Sequence, residues 1–312
     1  GKPFGYQRFL DRMPESQKNM LMENEIAPRA IDREVSSSLH MTHMGCSSLP
    51  EALVKQSLRC GLADGWGGSM MGTEFSDVLF GTPKPIDTEA NLGVMVEENV
   101  NIVVHGHDPS LSEMICEYAD DPEMIAYAKE MGAKGITVSG VCCTSNEVAM
   151  RRGIPMAGNF LQQENVVLTG ACEAIVVDVQ CIFPALGPLS KCFHTKFVTT
   201  SPIAQMPDSE FIRFSAETAG ENAKAIVKMA IENFKNRKQE LVHIPQLKQK
   251  ATVGYSVEAI VKVLDGVTNS QVDVTGTTKP LLECITSGVI RGAVAMVGCN
   301  NPKIRPDYAH IE

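Results

Sequence analysis

The sequence has few of the features that mark several large classes of protein. Its 312 residues include one Trp, five Tyr and eleven Phe, and the formal net charge is −9. A surface that binds nucleic acid or an anionic membrane needs clustered Lys and Arg, which this charge balance argues against. No apolar run approaches the roughly 20 residues of a membrane helix, and the first residues do not resemble an export signal. We expect a soluble, cytoplasmic protein that neither binds nucleic acid nor spans a membrane.

Several chemical motifs are missing as well. No Walker A sequence, nucleophile elbow or G-x-G-x-x-G opens a strand-to-helix turn, so nucleotide binding is not supported. No C-x-x-C pair occurs, although the chain has ten Cys. Ten Cys in 312 residues are too sparse for a disulfide scaffold, and without an export signal the thiols are expected to be reduced. Burial, metal binding or catalysis then remain as their roles.

The apolar spacing and turn signals along the sequence predict a helical segment followed by an α/β region. Apolar residues at a helical spacing, such as Ile31, Val35 and Leu39, indicate helices in the first eighty residues. The glycine-rich run 64–68 is expected to break that pattern, and residues 81–85 form a loop signal. Strands and helices then alternate, which is typical of a Rossmann-like parallel sheet with crossover helices. We predict domains at 1–83 (helical), 84–287 (Rossmann-like) and 288–312, the start of a second Rossmann-like domain.

The chain after residue 83 contains five predicted strands and four predicted helices. Strands are expected at 100–104, 136–141, 174–179, 197–199 and 289–297. Helices are expected at 109–131 with an interruption near Pro122, at 146–152, at 215–237 and at 257–264.

Four candidate metal ligands follow the ends of these strands: His107, Cys143, Cys181 and Cys299. The carboxyl ends of parallel strands share one edge, where ligands usually bind. Helix N-termini at that edge also stabilise thiolates. Ligands spread over separate strands favour a preassembled cluster rather than a zinc knuckle, which uses local pairs.

The other sulfur and carboxylate candidates have simpler interpretations. Free Cys often packs as a small hydrophobe, which is the role expected of Cys60, Cys116, Cys172, Cys192 and Cys284. Cys46 is left ambiguous. Asp64, beside the glycine-rich run, is a candidate carboxylate that hydrogen-bonds a metal ligand, although a capping or turn role is favoured at that position.

Seven sequence motifs, in order along nearly the whole chain, resemble the anaerobic nickel carbon monoxide dehydrogenases. The resemblance is strongest to the type paired with acetyl-CoA synthase in acetogens. The motifs are DGWGG at 64–68, LFGTP at 79–83, EANLG at 89–93, VVHGH at 103–107, GVCCT at 140–144, DVQC at 178–181 and VGCNNPK at 297–303.

The resemblance implies an oxidoreductase that interconverts CO plus water with CO2, two protons and two electrons at a nickel–iron–sulfur C-cluster. By motif match, His107 and Cys143 would hold the pendant iron, and Cys181 and Cys299 would hold irons of the core. Asp64 would handle protons. The partners implied are a second copy of the chain, acetyl-CoA synthase and a ferredoxin-type electron carrier.

The same resemblance implies that this sequence is the centre of a longer enzyme. The family's [4Fe-4S] ligands have no counterpart before Cys46, and its last two C-cluster cysteines are expected beyond Cys299. This chain alone would then be incomplete as an enzyme. Two alternatives stay open: a non-catalytic Rossmann-like fragment, and a structural zinc site built from His107, Cys143 and Cys181.

Overall fold

The computed structural model describes residues 5–264 and 278–294. The chain divides into two compact units, Gly1–Gly81 and Thr82–Glu312, whereas the sequence placed the first boundary after residue 83. None of the helices within the described ranges is long and apolar enough to cross a membrane.

The first unit is helical, as the apolar spacing predicted. After a short 3-10 turn its helices are α1 (Glu15–Glu23), α2 (Ile31–Met41), α3 (Pro50–Asp64) and α4 (Met70–Phe80). The predicted apolar stripe of α2 is nevertheless largely exposed, with Leu39 at 70%. Helices α2 and α3 instead meet through buried polar groups, in which the Gln56 amide donates to the Glu34 carboxylate at 3.0 Å.

The glycine-rich run does not break the helix, and that expectation was wrong. Residues Gly65–Ser69 form a π-helical turn that joins α3 directly to α4. Gly65 has ordinary helical dihedrals, and added side chains would collide nearby. A Cβ on Gly67 would lie 2.8 Å from Gln7 Nε2, and one on Gly68 would lie 2.6 Å from Asp64 Oδ1. The glycines permit close packing here rather than ending the helix.

The second unit is built on one eight-stranded sheet. Its strands are β1 (Ile86–Ala90), β2 (Val100–Gly106), β3 (Ile136–Val141), β4 (Met156–Gly158), β5 (Cys172–Val177), β6 (Lys196–Thr199), β7 (Glu210–Phe211) and β8 (Gln249–Val253). The spatial order is β7-β6-β5-β2-β3-β4-β1-β8. All pairs are parallel except β1 with β8, which are antiparallel. The predicted α/β class is confirmed.

Helices cover both faces of this sheet. The covering helices are α5 (Pro109–Ala119), α6 (Pro122–Glu130), α7 (Cys142–Arg152), α8 (Gln163–Leu168), α9 (Leu186–Cys192) and α10 (Ala219–Asn233). Two further helices, α11 (Val257–Leu264) and α12 (Lys279–Thr286), contribute no buried residue. One buried cluster joins Ile102 and Val104 to α5, α6 and α10. The other joins Val103 to α8 and α9. Neighbouring residues of β2 thus serve opposite faces, as the alternation of a strand requires.

Strands β1, β4, β7 and β8 were not predicted, and two predicted elements differ from the structure. The predicted 215–237 helix is α10 followed by a 3-10 turn, Phe234–Asn236. The strand predicted at 289–297 is wrong over the part the structure describes, because residues 289–294 are bend and irregular backbone. Its remainder, Cys299 and most of the predicted third domain lie outside the described residues.

The order in which successive strands are added to the sheet changes direction at β2. Strand β3 lies on one side of β2 and β5 on the other. The segment after β2 packs α5 on one face, and the segment after β5 packs α9 on the opposite face. Adjacent parallel strands whose connections leave to opposite faces open a crevice beyond their carboxyl ends. That crevice is the expected ligand position in this topology.

A buried ionic network stabilises the opposite edge of the sheet, where the strands begin. The Arg237 guanidinium contacts Glu173 Oε1 at 2.7 Å, and the His194 ring contacts the same oxygen at 2.8 Å. Glu173 Oε2 accepts the backbone N–H of Asn101 at 2.6 Å. Removing one partner from a buried pair leaves an uncompensated charge.

Arg237→Ala should therefore lower the free energy of unfolding of the second unit by about 3–5 kcal/mol. Lys228→Ala is the control, since Lys228 and Glu232 form an exposed i,i+4 pair worth about 0.3–0.5 kcal/mol. Denaturant unfolding followed by circular dichroism measures both. Equal small losses in the two variants would contradict the importance of this network.

In the first unit, Glu34 is fully buried and paired with Arg29 at 2.8 Å. Burial raises its pKa, but hydrogen bonds from Arg29 and Gln56, with the Arg29 charge, outweigh burial and lower the pKa of Glu34 from 4.5 to about 2. A carboxyl group whose pKa is lower in the folded state contributes stability above its unfolded pKa. That contribution is lost as the pH falls through the folded value.

The first unit should therefore lose stability between pH 4.5 and about 2, and Glu34→Gln should flatten this dependence while costing about 1–3 kcal/mol at neutral pH. Trp66, the single Trp of the chain, stacks on Phe9 and reports unfolding of this unit by fluorescence. Glu51→Gln, at an exposed pair with Lys55, is the control. An unchanged acid profile in Glu34→Gln would refute the assignment.

Candidate metal centre

Three of the segments that carry predicted ligands converge at the carboxyl edge of the sheet. Side-chain ligand atoms of His107, Cys142 and Cys181 all lie within 4.8 Å of one another. The convergence follows from the strand pairing, because β3 and β5 flank β2 and each ligand follows one of these strands. Imidazole and thiolate donors together suit zinc or iron–sulfur centres.

The histidine is held in a form that can bind a metal. His107 follows Gly106, the last residue of β2, and is half-buried. Its Nδ1 lies 3.2 Å from the carbonyl oxygen of Val179. A carbonyl only accepts hydrogen bonds, so Nδ1 donates and Nε2 keeps its lone pair. Such a hydrogen bond on the remote nitrogen is the usual way in which proteins orient a metal-ligating imidazole.

The two adjacent cysteines occupy the first turn of α7. Cys142 has a φ of +68° and forms an isolated parallel bridge with Gly106. It is buried, whereas Cys143 is exposed. Burial raises the pKa of the Cys142 thiol, and the neighbouring Cys143 and Cys181 raise it further against a hydrogen bond from the Cys143 backbone. Cys142 is therefore a neutral thiol at pH 7 unless a metal displaces its proton.

The sequence predicted Cys143 as the ligand, and the structure places Cys142 in the three-residue group. The two side chains also contact each other through a hydrogen bond. Strand alternation indicated that only one of the pair would face the crevice, but it did not show which one. The positive φ of Cys142 decides the side-chain directions, and a sequence pattern does not report it.

Cys181 sits on a strained loop after β5. Gln180 and Cys181 have φ values of +63° and +57°. The buried Gln163 amide donates to the Cys181 carbonyl oxygen at 2.8 Å, and its Oε1 accepts the Phe183 N–H at 2.8 Å. Non-glycine residues in this region of φ cost free energy and persist only where the surroundings fix them. Gln163, which the sequence analysis did not single out, supplies part of that support.

The buried neighbour of the metal-binding histidine is also tied to Gln163. His105 Nε2 lies 3.1 Å from Gln163 Oε1, and His105 is fully buried. Burial lowers the pKa of His105 to about 4, with Gln163 opposing the shift. His105 is thus a neutral structural residue. Gln163 serves as its hydrogen-bond partner in the core and does not belong to the set of candidate metal ligands.

The remaining candidates lie elsewhere. Asp64 is an exposed residue at the end of α3 in the first unit. Of the cysteines expected to pack in the core, Cys116 and Cys172 are buried, and Cys60 and Cys284 are intermediate. Cys192 is exposed, so its predicted burial was wrong. It lies at the end of the short helix α9, where only part of each turn faces the sheet. The ambiguous Cys46 is exposed.

The Asp178 carboxylate accepts hydrogen bonds from the segments that carry His107 and the cysteine pair. Its Oδ1 accepts the backbone N–H groups of His107 at 2.5 Å and Asp108 at 3.1 Å, and its Oδ2 accepts the Thr144 hydroxyl at 3.1 Å. Burial raises the pKa of Asp178 above its usual value of 3.8, and the hydrogen bonds from the His107, Val179 and Asp108 backbone and from Thr144 offset only part of that rise. Asp178 is the first residue of the DVQC motif, from which no role was predicted for it.

Known proteins match the chain over its whole length. The sequence model of the Prismane/CO dehydrogenase family matches residues 4–312. A protein named carbon monoxide dehydrogenase 1 from Methanosarcina mazei is 48% identical over 311 residues, covering 100% of this chain and 48% of the relative. The chain therefore spans about half the length of the curated relatives it matches.

Solved structures agree with the sequence matches. A nickel-free, as-isolated carbon monoxide dehydrogenase from Thermococcus sp. AM4, produced without the CooC maturase, superimposes with a TM-score of 0.91 at 49% identity, covering 100% of this chain and 48% of that one. An acetyl-CoA synthase/carbon monoxide dehydrogenase with NiZn[Fe4S4] and NiNi[Fe4S4] clusters in closed and open alpha subunits gives a TM-score of 0.87 at 40% identity over 99% of this chain and 45% of that one. With family, sequence and fold in agreement, the chain belongs to the Prismane/CO dehydrogenase family.

Proposed function

We propose that this chain forms part of a carbon monoxide dehydrogenase, which interconverts CO and water with CO2, two protons and two electrons. The observation that carries the proposal is the convergence at the carboxyl edge of the sheet of the segments that bear His107, the adjacent cysteines 142 and 143, and Cys181, where ligand atoms of His107, Cys142 and Cys181 lie within 4.8 Å of one another. The family membership of the chain supplies the chemistry expected there. When bound, a nickel–iron–sulfur cluster supplies the redox chemistry of this reaction.

The donor set of the described residues fits such a cluster. A histidine with a free Nε2 and thiols from two separate segments provide the nitrogen and sulfur ligands that iron–sulfur and related centres use. The N-terminus of α7 adds positive potential beside the cysteine pair, which stabilises thiolates. We assign His107, Cys143, Cys181 and Cys299 as cluster ligands of this chain, with Cys299 assigned by motif match because it lies outside the described residues.

Cys143 is the preferred ligand of the pair for a physical reason as well as by motif. Cys142 packs in the second buried cluster of the sheet, where a small apolar side chain belongs. Cys143 is exposed at the rim, where a multi-atom cluster has room. Its thiol contacts that of Cys142, which places it next to the three-residue group.

The other residues of the chain have supporting tasks in this proposal. The Val179 carbonyl fixes the His107 ring, and Gln163 holds the Cys181 loop. Asp64, exposed in the helical unit, is assigned to proton handling on the strength of its motif.

The same proposal includes the assembly. By family resemblance, the protein acts as a homodimer with an acetyl-CoA synthase subunit and a ferredoxin-type electron carrier. A similar solved structure carries both names, acetyl-CoA synthase and carbon monoxide dehydrogenase. The [4Fe-4S] clusters of the assembly would use ligands outside this sequence, so the 312 residues by themselves are expected to lack full activity.

A structural zinc site is the second candidate, since one nitrogen and two sulfur donors within 4.8 Å also suit tetrahedral zinc. Elemental analysis separates the two. Iron with acid-labile sulfide and nickel in anaerobically purified protein supports the dehydrogenase. Zinc without sulfide supports the structural site, and a metal-free protein would support a non-catalytic module.

Cys181→Ala should abolish iron–sulfur absorption and electron paramagnetic resonance signals, because it removes a ligand from the centre of the site. Cys284→Ala is the control, since Cys284 lies in α12 with its side chain partly buried. Iron and sulfide per polypeptide give the same comparison in numbers. Equal signals in both variants would contradict the assignment of Cys181.

The adjacent cysteines can be separated by single substitutions. Cys143→Ala should reduce iron content at least about tenfold as a lost ligand. Cys142→Ala removes a small buried group and should retain most of the iron, with a stability loss of about 1 kcal/mol. The opposite result, iron lost in Cys142→Ala and kept in Cys143→Ala, would make Cys142 the ligand.

A further inference from the structure

The Asp178 carboxylate lies where the three ligand-bearing segments meet. Oδ1 accepts the N–H of His107 at 2.5 Å, on the segment after β2. Oδ2 accepts the hydroxyl of Thr144 at 3.1 Å, in the first turn of α7 beside the cysteine pair. The residue itself begins the loop that leads to Cys181. One side chain thus reaches all three segments.

The main chain reinforces this arrangement. The Asp178 N–H donates to the carbonyl oxygen of His105 at 3.1 Å, so β5 and β2 stay paired up to the point where both end. Asp178 Oδ1 also accepts the N–H of Val179. Val179 is the residue whose carbonyl holds the His107 ring. The carboxylate therefore fixes both the backbone of His107 and the residue that orients its imidazole.

Gly106 leaves the space that the carboxylate occupies. Its φ is +130°, and a Cβ built on it would lie 2.1 Å from Asp178 Oδ1. Any side chain at position 106 would push the carboxylate out of its hydrogen bonds. The glycine of the HGH sequence is thus explained by the position of Asp178 rather than by the turn alone.

The partners of the carboxylate are all hydrogen-bond donors. Three backbone N–H groups and one hydroxyl converge on its two oxygens. This is the environment that an ionised acceptor requires, and charge-assisted bonds of this kind are stronger than neutral ones. Asparagine at the same position would keep one oxygen but would present an amide N–H2 in place of the other.

We propose that Asp178 is a positioning residue that holds the His107, cysteine-pair and Cys181 segments in the geometry that binds the metal centre, without touching the metal. The identity of that metal rests on the function proposed above, whereas the hydrogen bonds of Asp178 do not. Gln163 supports the Cys181 segment through its own contacts, so Asp178 has its main effect on the link between the other two segments.

The first test measures backbone hydrogen exchange in metal-free protein. In Asp178→Ala the amides of His107, Asp108 and Val179 lose their acceptor and should exchange at least about tenfold faster than in the parent. Gly106→Ala, which displaces the carboxylate without removing it, should produce the same pattern. Asp178→Asn keeps Oδ1 and should restore most of the protection. Unchanged exchange at these amides in Asp178→Ala would overturn the proposal.

The second test measures iron and sulfide bound per polypeptide, with the iron–sulfur spectroscopic signature, after anaerobic reconstitution. Asp178→Ala should lose about 10- to 100-fold in metal affinity, the usual effect of removing an outer hydrogen bond, and Asp178→Asn should fall between it and the parent. Asp121→Ala is the matched control. Asp121 caps α6 by accepting the Glu123 N–H at 2.8 Å, so its loss destabilises the same unit away from the crevice.

The outcomes separate the two proposals. Equal iron loss in Asp121→Ala and Asp178→Ala would reduce Asp178 to a general stabilising residue and overturn the inference. Parent protein that binds no iron under any condition would refute the proposed function, and the exchange measurement would still decide the role of Asp178. If Asp178→Ala does not fold, Asp178→Asn and Gly106→Ala carry both measurements.

Discussion

Parallel pairing of β2 with β3 and β5 is the constraint on which the candidate centre depends. Because these strands run in one direction, their last residues meet at one edge, and residues separated by more than seventy positions become neighbours. The order in which strands are added across the sheet changes direction at β2. The segments that follow β2 and β5 therefore pack on opposite faces and leave a crevice between them. The ionic network around Glu173 stabilises the other edge of the sheet, where the strands begin. One edge therefore contributes stability and the other carries the candidate binding site.

The crevice is also where the backbone is most strained. Cys142, Gln180 and Cys181 all adopt positive φ, at a cost of order 1–3 kcal/mol each. Short polar side chains hold this geometry, with Asp178 serving the β2 and α7 segments and Gln163 serving the Cys181 loop. Strain that is fixed by hydrogen bonds in this way is typical of sites prepared for a ligand before it arrives.

Elements with a clear apolar period were predictable from the sequence. Strand β3 and helix α11 have the predicted bounds, because apolar residues follow the period of each element. Strands β1 and β8 were missed, since their IDTEA and QKATV sequences lie partly exposed near the edge of the sheet and carry little apolar pattern. At the site, strand ends predicted the positions of His107 and Cys181. Residue spacing did not show that the side chain of Cys142, which has a positive φ, would lie in the three-residue group.

The central claim is that segments distant in sequence form one iron-binding site at this edge. The most direct measurement is an anomalous difference map at the iron absorption edge, from crystals of protein purified without oxygen. Iron density is expected within bonding distance of His107 Nε2 and of the Cys181 thiolate. Iron density only elsewhere in the crystal, or zinc density alone at these residues, would contradict it.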